Sequence, residues 1–113
     1  LAFTDAAHIT CVANDYGFEF VFSRMVEAFG RPGDVLVLLT TSGNSANLIR
    51  AAQSARSMGL VVVGFVGRGG GALAPLCDIA VQAPGETSDR IQEVHMLALH
   101  ALIESVEAEM GYA

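Results

Sequence analysis

Two groups of residues in this 113-residue chain could do chemistry. The first is Thr40-Thr41-Ser42-Gly43-Asn44-Ser45, six polar or glycine residues in a row. An all-apolar run, Val35–Leu39, precedes it, and an apolar pattern of helical period follows from Ala46. A strand, a tight polar loop and a helix N-terminus leave unpaired backbone N–H groups beside the positive end of a helix dipole, both suited to an anion. Gly43 lets the backbone approach a ligand, and the hydroxyls of Thr40, Thr41, Ser42 and Ser45 add donors. No lysine is present, so this is not the nucleotide P-loop pattern. The phosphate of a small molecule fits better. The plainer alternative is that Ser42, Asn44 or Ser45 caps the helix. One cap does not need six such residues.

The second group is Asp89-Arg90-Ile91-Gln92-Glu93-Val94-His95-Met96-Leu97-Ala98-Leu99-His100. Its two histidines lie five residues apart, which on a helix turns them about 140° from each other. They cannot chelate one ion as an i, i+4 pair would. A lone histidine on an apolar helix is usually a hydrogen-bonded core residue, and acid–base work is left open for either one.

The elements that must position these residues alternate. Leu1–Thr4 reads as a short strand, and Asp5–Val12 as a helical turn. Asp15 is placed to cap a helix from about Gly17 to Phe29 that ends at Gly30. Val35–Leu39 reads as a strand buried on both faces. A helix from Ala46 to about Met58 follows and ends at Gly59. Leu60–Val66 and Asp78–Val81 are further strands, and Ser88 to about Met110 is one long helix with Thr87 or Ser88 as cap. The expected fold is α/β: a three-layer sandwich with a parallel sheet between helices and right-handed crossovers. Ligands in such sheets sit beyond the carboxyl ends of the strands, where the 40–45 loop would lie.

Gly67-Arg68-Gly69-Gly70-Gly71-Ala72 formally matches a dinucleotide-binding pattern. However, only about two turns of helix fit before the next strand, too little for that unit. A loop with close backbone approach is the better reading.

Composition narrows the function further. Hydrophobic residues make up 52% and charged residues 16%, as in a globular domain, and the net charge is −6. With no basic run, nucleic acid and anionic membranes are poor partners, and no apolar run is long enough to span a bilayer. Cys11 and Cys77 form neither a CxxC nor a disulfide framework, which points to a reducing, cytoplasmic compartment. The first residue is Leu1, and the high apolar fraction suggests surface buried against further sequence or other subunits. Residues 1–113 are therefore expected to be one domain, the C-terminal portion of a longer chain.

The motifs Ala13-Asn14-Asp15-Tyr16-Gly17-Phe18, Phe22-Ser23-Arg24, Thr40–Asn47 and Ser88–His95 with His100 closely resemble the sugar isomerase (SIS) domain family. Within it they resemble the phosphoheptose isomerases. The resemblance spans the whole chain and implies a five-stranded parallel sheet assembled as a homotetramer. The implied reaction is aldose–ketose isomerisation of sedoheptulose 7-phosphate to glycero-manno-heptose 7-phosphate, toward the heptose of lipopolysaccharide. Residue by residue, Thr40, Thr41, Ser42 and Ser45 match phosphate and sugar contacts, and Asn14 and Asp15 match substrate contacts. Gln92 and His100 match two ligands of a zinc site, and His100 also matches the catalytic histidine. The family's other zinc ligands, a histidine and a glutamate that doubles as base, lie in an N-terminal segment not in this chain. The 113 residues are thus expected to be inactive alone. Eight residues separate Gln92 from His100, about 12 Å along a helix and 80° around it. The expectation is a site shared between protomers, one giving Gln92 and another His100. Two alternatives stay open: a non-catalytic SIS protein that binds a replication initiator, and a sugar-phosphate sensor.

Overall fold

The computed structural model describes residues 1–112. Asp5 starts the first helix, α1 (Ala6–Asp15): its carboxylate accepts the N–H of His8 at 2.7 Å, satisfying one of the helix's free donors. Gly17, at φ 108°, breaks the chain away. A single 3-10 turn, Phe18–Phe20, leads into α2 (Ser23–Phe29). Then come β1 (Val35–Leu39), α3 (Ala46–Ser57), β2 (Val61–Val66), a 3-10 turn at Ala74–Leu76, β3 (Ile79–Gln82) and α4 (Ser88–Glu109).

The three strands are parallel in the order β1-β2-β3, with Val35 opposite Val61 and Val63 opposite Ile79. Period-2 alternation sends Val62 and Val66 to one face, where Ala51, Ala52 and Ala55 of α3 are fully buried. Alanine at those three positions lets the helix axis come close to the strands. The α3 helix ends in a Schellman arrangement: Leu60 N–H donates to Ala55 O and Gly59 N–H to Arg56 O, with Gly59 at φ 79°. Phe65 points to the opposite face and meets α4. Helices on both faces of a parallel sheet confirm the expected α/β sandwich, with three strands in the described residues.

Three expectations about the elements are corrected. Residues 1–4 form no strand; Phe3 packs on the core instead. The helix expected from Gly17 to Phe29 is a 3-10 turn followed by a short helix, and Asp15 is the last residue of α1, not a cap. Contacts with α3 hold that turn: Glu19 pairs with Arg50, whose guanidinium lies 4.3 Å above the Phe20 ring. Finally, β1 is not buried on both faces. It is an edge strand, and Val35, Val37 and Leu39 are exposed.

Candidate functional site

The loop from Thr40 to Ser45 leaves the carboxyl end of β1. Thr40 N–H donates to Phe65 O at 2.9 Å, continuing the ladder by one residue. The Thr40 hydroxyl then accepts Gly43 N–H at 3.1 Å, so this side chain shapes the loop. Asn44 also ties the loop down, through Ser42 and through Ala72 N–H, which it accepts at 3.0 Å. Gly43 (φ 68°) lies against the glycine-rich loop so closely that a Cβ there would sit 2.1 Å from Gly70 O. A Cβ on Gly67 would likewise sit 2.1 Å from Thr41 O. With Gly71, where a Cβ would sit 2.5 Å from Ser42 O, Gly67 therefore serves the close approach of one loop to another. A single 3-10 turn follows them, which removes the dinucleotide-binding reading.

Capping does not account for the hydroxyls. Ser45 occupies the N-cap position of α3, yet its side chain makes no capping bond, in contrast to Asp5 on α1. Ser42 and Ser45 are exposed, and Thr41 is half-buried. The Thr41 hydroxyl lies 3.3 Å from that of Ser88, the first residue of α4. The N-cap Thr87 also leaves the backbone of α4 uncapped, its hydroxyl donating to Asp89. That hydroxyl bond, helped by the Arg90 N–H, holds the Asp89 carboxyl below the usual carboxylate range.

A polar cleft of about 260 Å3 opens here, lined by Thr41, Ser42, Arg68, Gly85, Glu86 and Ser88. Arg68 and Glu86 form an ion pair across it, both largely exposed. The sequence reading missed three of these as site residues: Ser88, Arg68 and Glu86. A hydroxyl in the first turn of α4 was the available signal for Ser88. A larger hollow of about 690 Å3 runs along the free edge of β1, but Phe3, Phe22, Val35, Val37 and Leu39 line it. Its side chains are almost all apolar, so the hydroxyl-lined cleft is the better site for an anion.

The remaining expected residues divide. Gln92 and His100 are both exposed on α4, Gln92 one turn beyond Ser88 and His100 two turns further. The helix is continuous, so the two stand about 12 Å apart along its axis. Among the described residues no three His, Cys, Asp or Glu side chains cluster to hold a metal. Asn14 and Asp15 lie at the end of α1, bonded to each other at 2.9 Å. No hydrogen bond joins them to the 40–45 loop among the described residues. His95 is buried, as the plainer reading of an apolar-helix histidine holds.

A parallel sheet with a hydroxyl-rich loop and two uncapped helix N-termini at its carboxyl edge matches a known class. The SIS domain family model matches residues 1–67, and the chain belongs to the SIS domain family. Its relatives are more particular. Over 110 residues it is 53% identical to the phosphoheptose isomerase of Fusobacterium nucleatum, covering 97% of this chain and 57% of that protein. It is 48% identical to that of Serratia proteamaculans over 97% of this chain and 58% of the relative. Phosphoheptose isomerase GmhA from Neisseria gonorrhoeae superposes with a TM-score of 0.93 at 42% identity, over 96% of this chain and 61% of that one. The chain thus spans somewhat over half the length of the curated relatives it matches.

Proposed function

We propose that the protein is an aldose–ketose isomerase acting on a heptose phosphate. It converts sedoheptulose 7-phosphate to D-glycero-D-manno-heptose 7-phosphate, which feeds lipopolysaccharide heptose. The observation that carries this is the meeting of the 40–45 loop with the uncapped first turn of α4, Thr41 and Ser88 being 3.3 Å apart. Kinship with phosphoheptose isomerases supports it.

In this reading Thr41, Ser42, Ser45 and the backbone N–H groups hold the phosphate, and Thr40 keeps the loop in shape. Binding energy at this remote end orients the reacting carbons. Isomerisation then needs a base to take the proton beside the carbonyl and an acid to return one. His100, an imidazole exposed on α4, takes one of those transfers. Asn14 and Asp15 contact the sugar from the end of α1. Zinc, if bound, polarises the sugar's oxygens. Gln92 of one protomer and His100 of another would each supply one ligand, since one straight helix cannot bring both to a single ion. A homotetramer fits the apolar side chains that α4 leaves exposed, among them Leu97, Ile103 and Val106. No helix among the described residues is long and apolar enough to cross a membrane, which fits a cytoplasmic enzyme.

The test is turnover of sedoheptulose 7-phosphate by the full-length protein, with and without a chelator. His100→Ala should cost kcat about 10²-fold or more with folding unchanged. Ser42→Ala should mainly raise KM. Tight substrate binding without turnover in the unaltered protein would favour the sensor instead.

A further inference from the structure

The 22-residue helix α4 buries only two of its side chains, Ile91 and His95. Ile91 supplies apolar contact, which has no direction. His95 supplies a bond that does. Its Nε2 lies 3.0 Å from Val66 O, and because a carbonyl only accepts, Nε2 carries the hydrogen. Its ring also meets Phe65 edge-on, with centroids 6.0 Å apart. These two residues are the hub of the sheet's carboxyl edge. Phe65 O accepts Thr40 N–H at 2.9 Å, and Val66 O also accepts Ala83 N–H at 2.9 Å. His95 thus grips the segment that holds both the start of the 40–45 loop and the end of β3.

We propose that His95 is a positioning residue: its Nε2–H bond to Val66 fixes the rotation and axial register of α4, and so places Ser88, Gln92 and His100 relative to the 40–45 loop. A shift of one residue along a helix is about 1.5 Å and 100°. The Thr41–Ser88 contact, at 3.3 Å, would not survive such a shift. Displacement of about 1 Å at reacting groups can cost 10²-fold in rate. The loop's own hydroxyls and backbone N–H groups are carried by β1 and α3, so those donors to phosphate stay in place when α4 shifts.

The proposal rests on the isomerase reading, and the experiment separates the two. In the full-length protein, His95→Leu keeps the apolar bulk and removes the donor. His95→Gln puts an amide Nε2 near the imidazole position, and His95→Asn falls short of it. We expect kcat to fall about tenfold or more in His95→Leu and His95→Asn, with KM within about threefold, and His95→Gln to recover most of it. Backbone hydrogen exchange over residues 88–94 should quicken in the first two variants and return in the third. His95→Leu with unchanged kcat and exchange, or His95→Gln no better than His95→Asn, overturns the proposal. Should His95→Leu fail to fold, the Gln and Asn pair decides alone. If the unaltered protein turns over no substrate, the isomerase reading falls, and the exchange pattern still decides the positioning role.

Discussion

On one face of the sheet Leu38 and Val62 are 4% and 0% exposed beneath α3, while on the other Val35, Leu39 and Val61 remain 59%, 45% and 40% exposed. The residues are of the same kind and alternate along the same strands. What differs is the helix above them. The α3 helix lies along the strands with alanines at its contact positions, so a continuous core forms from Val26 to Leu73. The α4 helix touches the second face only near the carboxyl end, through Ile91 and His95, and then carries its apolar residues outward. The first face is a scaffold held by many interchangeable contacts. The second is held by few, so each is specific.

If that contrast holds, Leu38→Ala costs about 2–5 kcal/mol, because its side chain is buried in the core beneath α3. Val37→Ser, one residue away on the open face, stays within about 0.5 kcal/mol in this chain. Chemical denaturation of both variants tests the pair, and equal costs would show that the second face is covered as well. Gly43→Ala breaks the junction where the glycine-rich loop meets the 40–45 loop. A side chain at φ 68° costs about 1–2 kcal/mol before the clash with Gly70 O is counted. Thermal unfolding should show that loss together with weakened binding of phosphate. Ile91→Ala removes the other buried side chain of α4. Its cost should fall near the lower end of the range for such truncations, about 2 kcal/mol, since the site is open on one side.

The smallest effect concerns Cys77, which sits on the α3 side against Gly64. Burial, with Asp78 adding to it, raises its thiol above the ordinary value. A raised folded-state value means the contribution is complete below the unfolded thiol's pKa and is lost as pH rises through the folded one. Unfolding midpoints should therefore decline slightly at alkaline pH, and less so in Cys77→Ala. Alkylation at neutral pH should label exposed Cys11 well before Cys77.

Most of the sandwich was legible because apolar runs and glycine stops are local signals. Val35–Leu39, the Ala46 helix with Gly59 at its end, and the long final helix each announce themselves within a dozen residues. The Thr40–Ser45 loop was legible for the same reason: strand, hydroxyls and helix start are neighbours in the chain. The broken helix at Phe18–Phe20 was not, since Arg50, thirty residues away, holds that turn. Nor was the exposure of β1, because a run of apolar residues reads alike at an edge and in the middle of a sheet.

By itself, then, the sequence determined the kinds of element, their order and the hydroxyl loop, all set by spacing and side-chain type over short distances. Only the tertiary structure decided that Ser88 and Arg68 share a cleft with that loop, that Gly67 and Gly71 let two loops touch, and that His95 is held while His100 is exposed. Each of these depends on where separate segments meet in space, and no local pattern encodes that meeting.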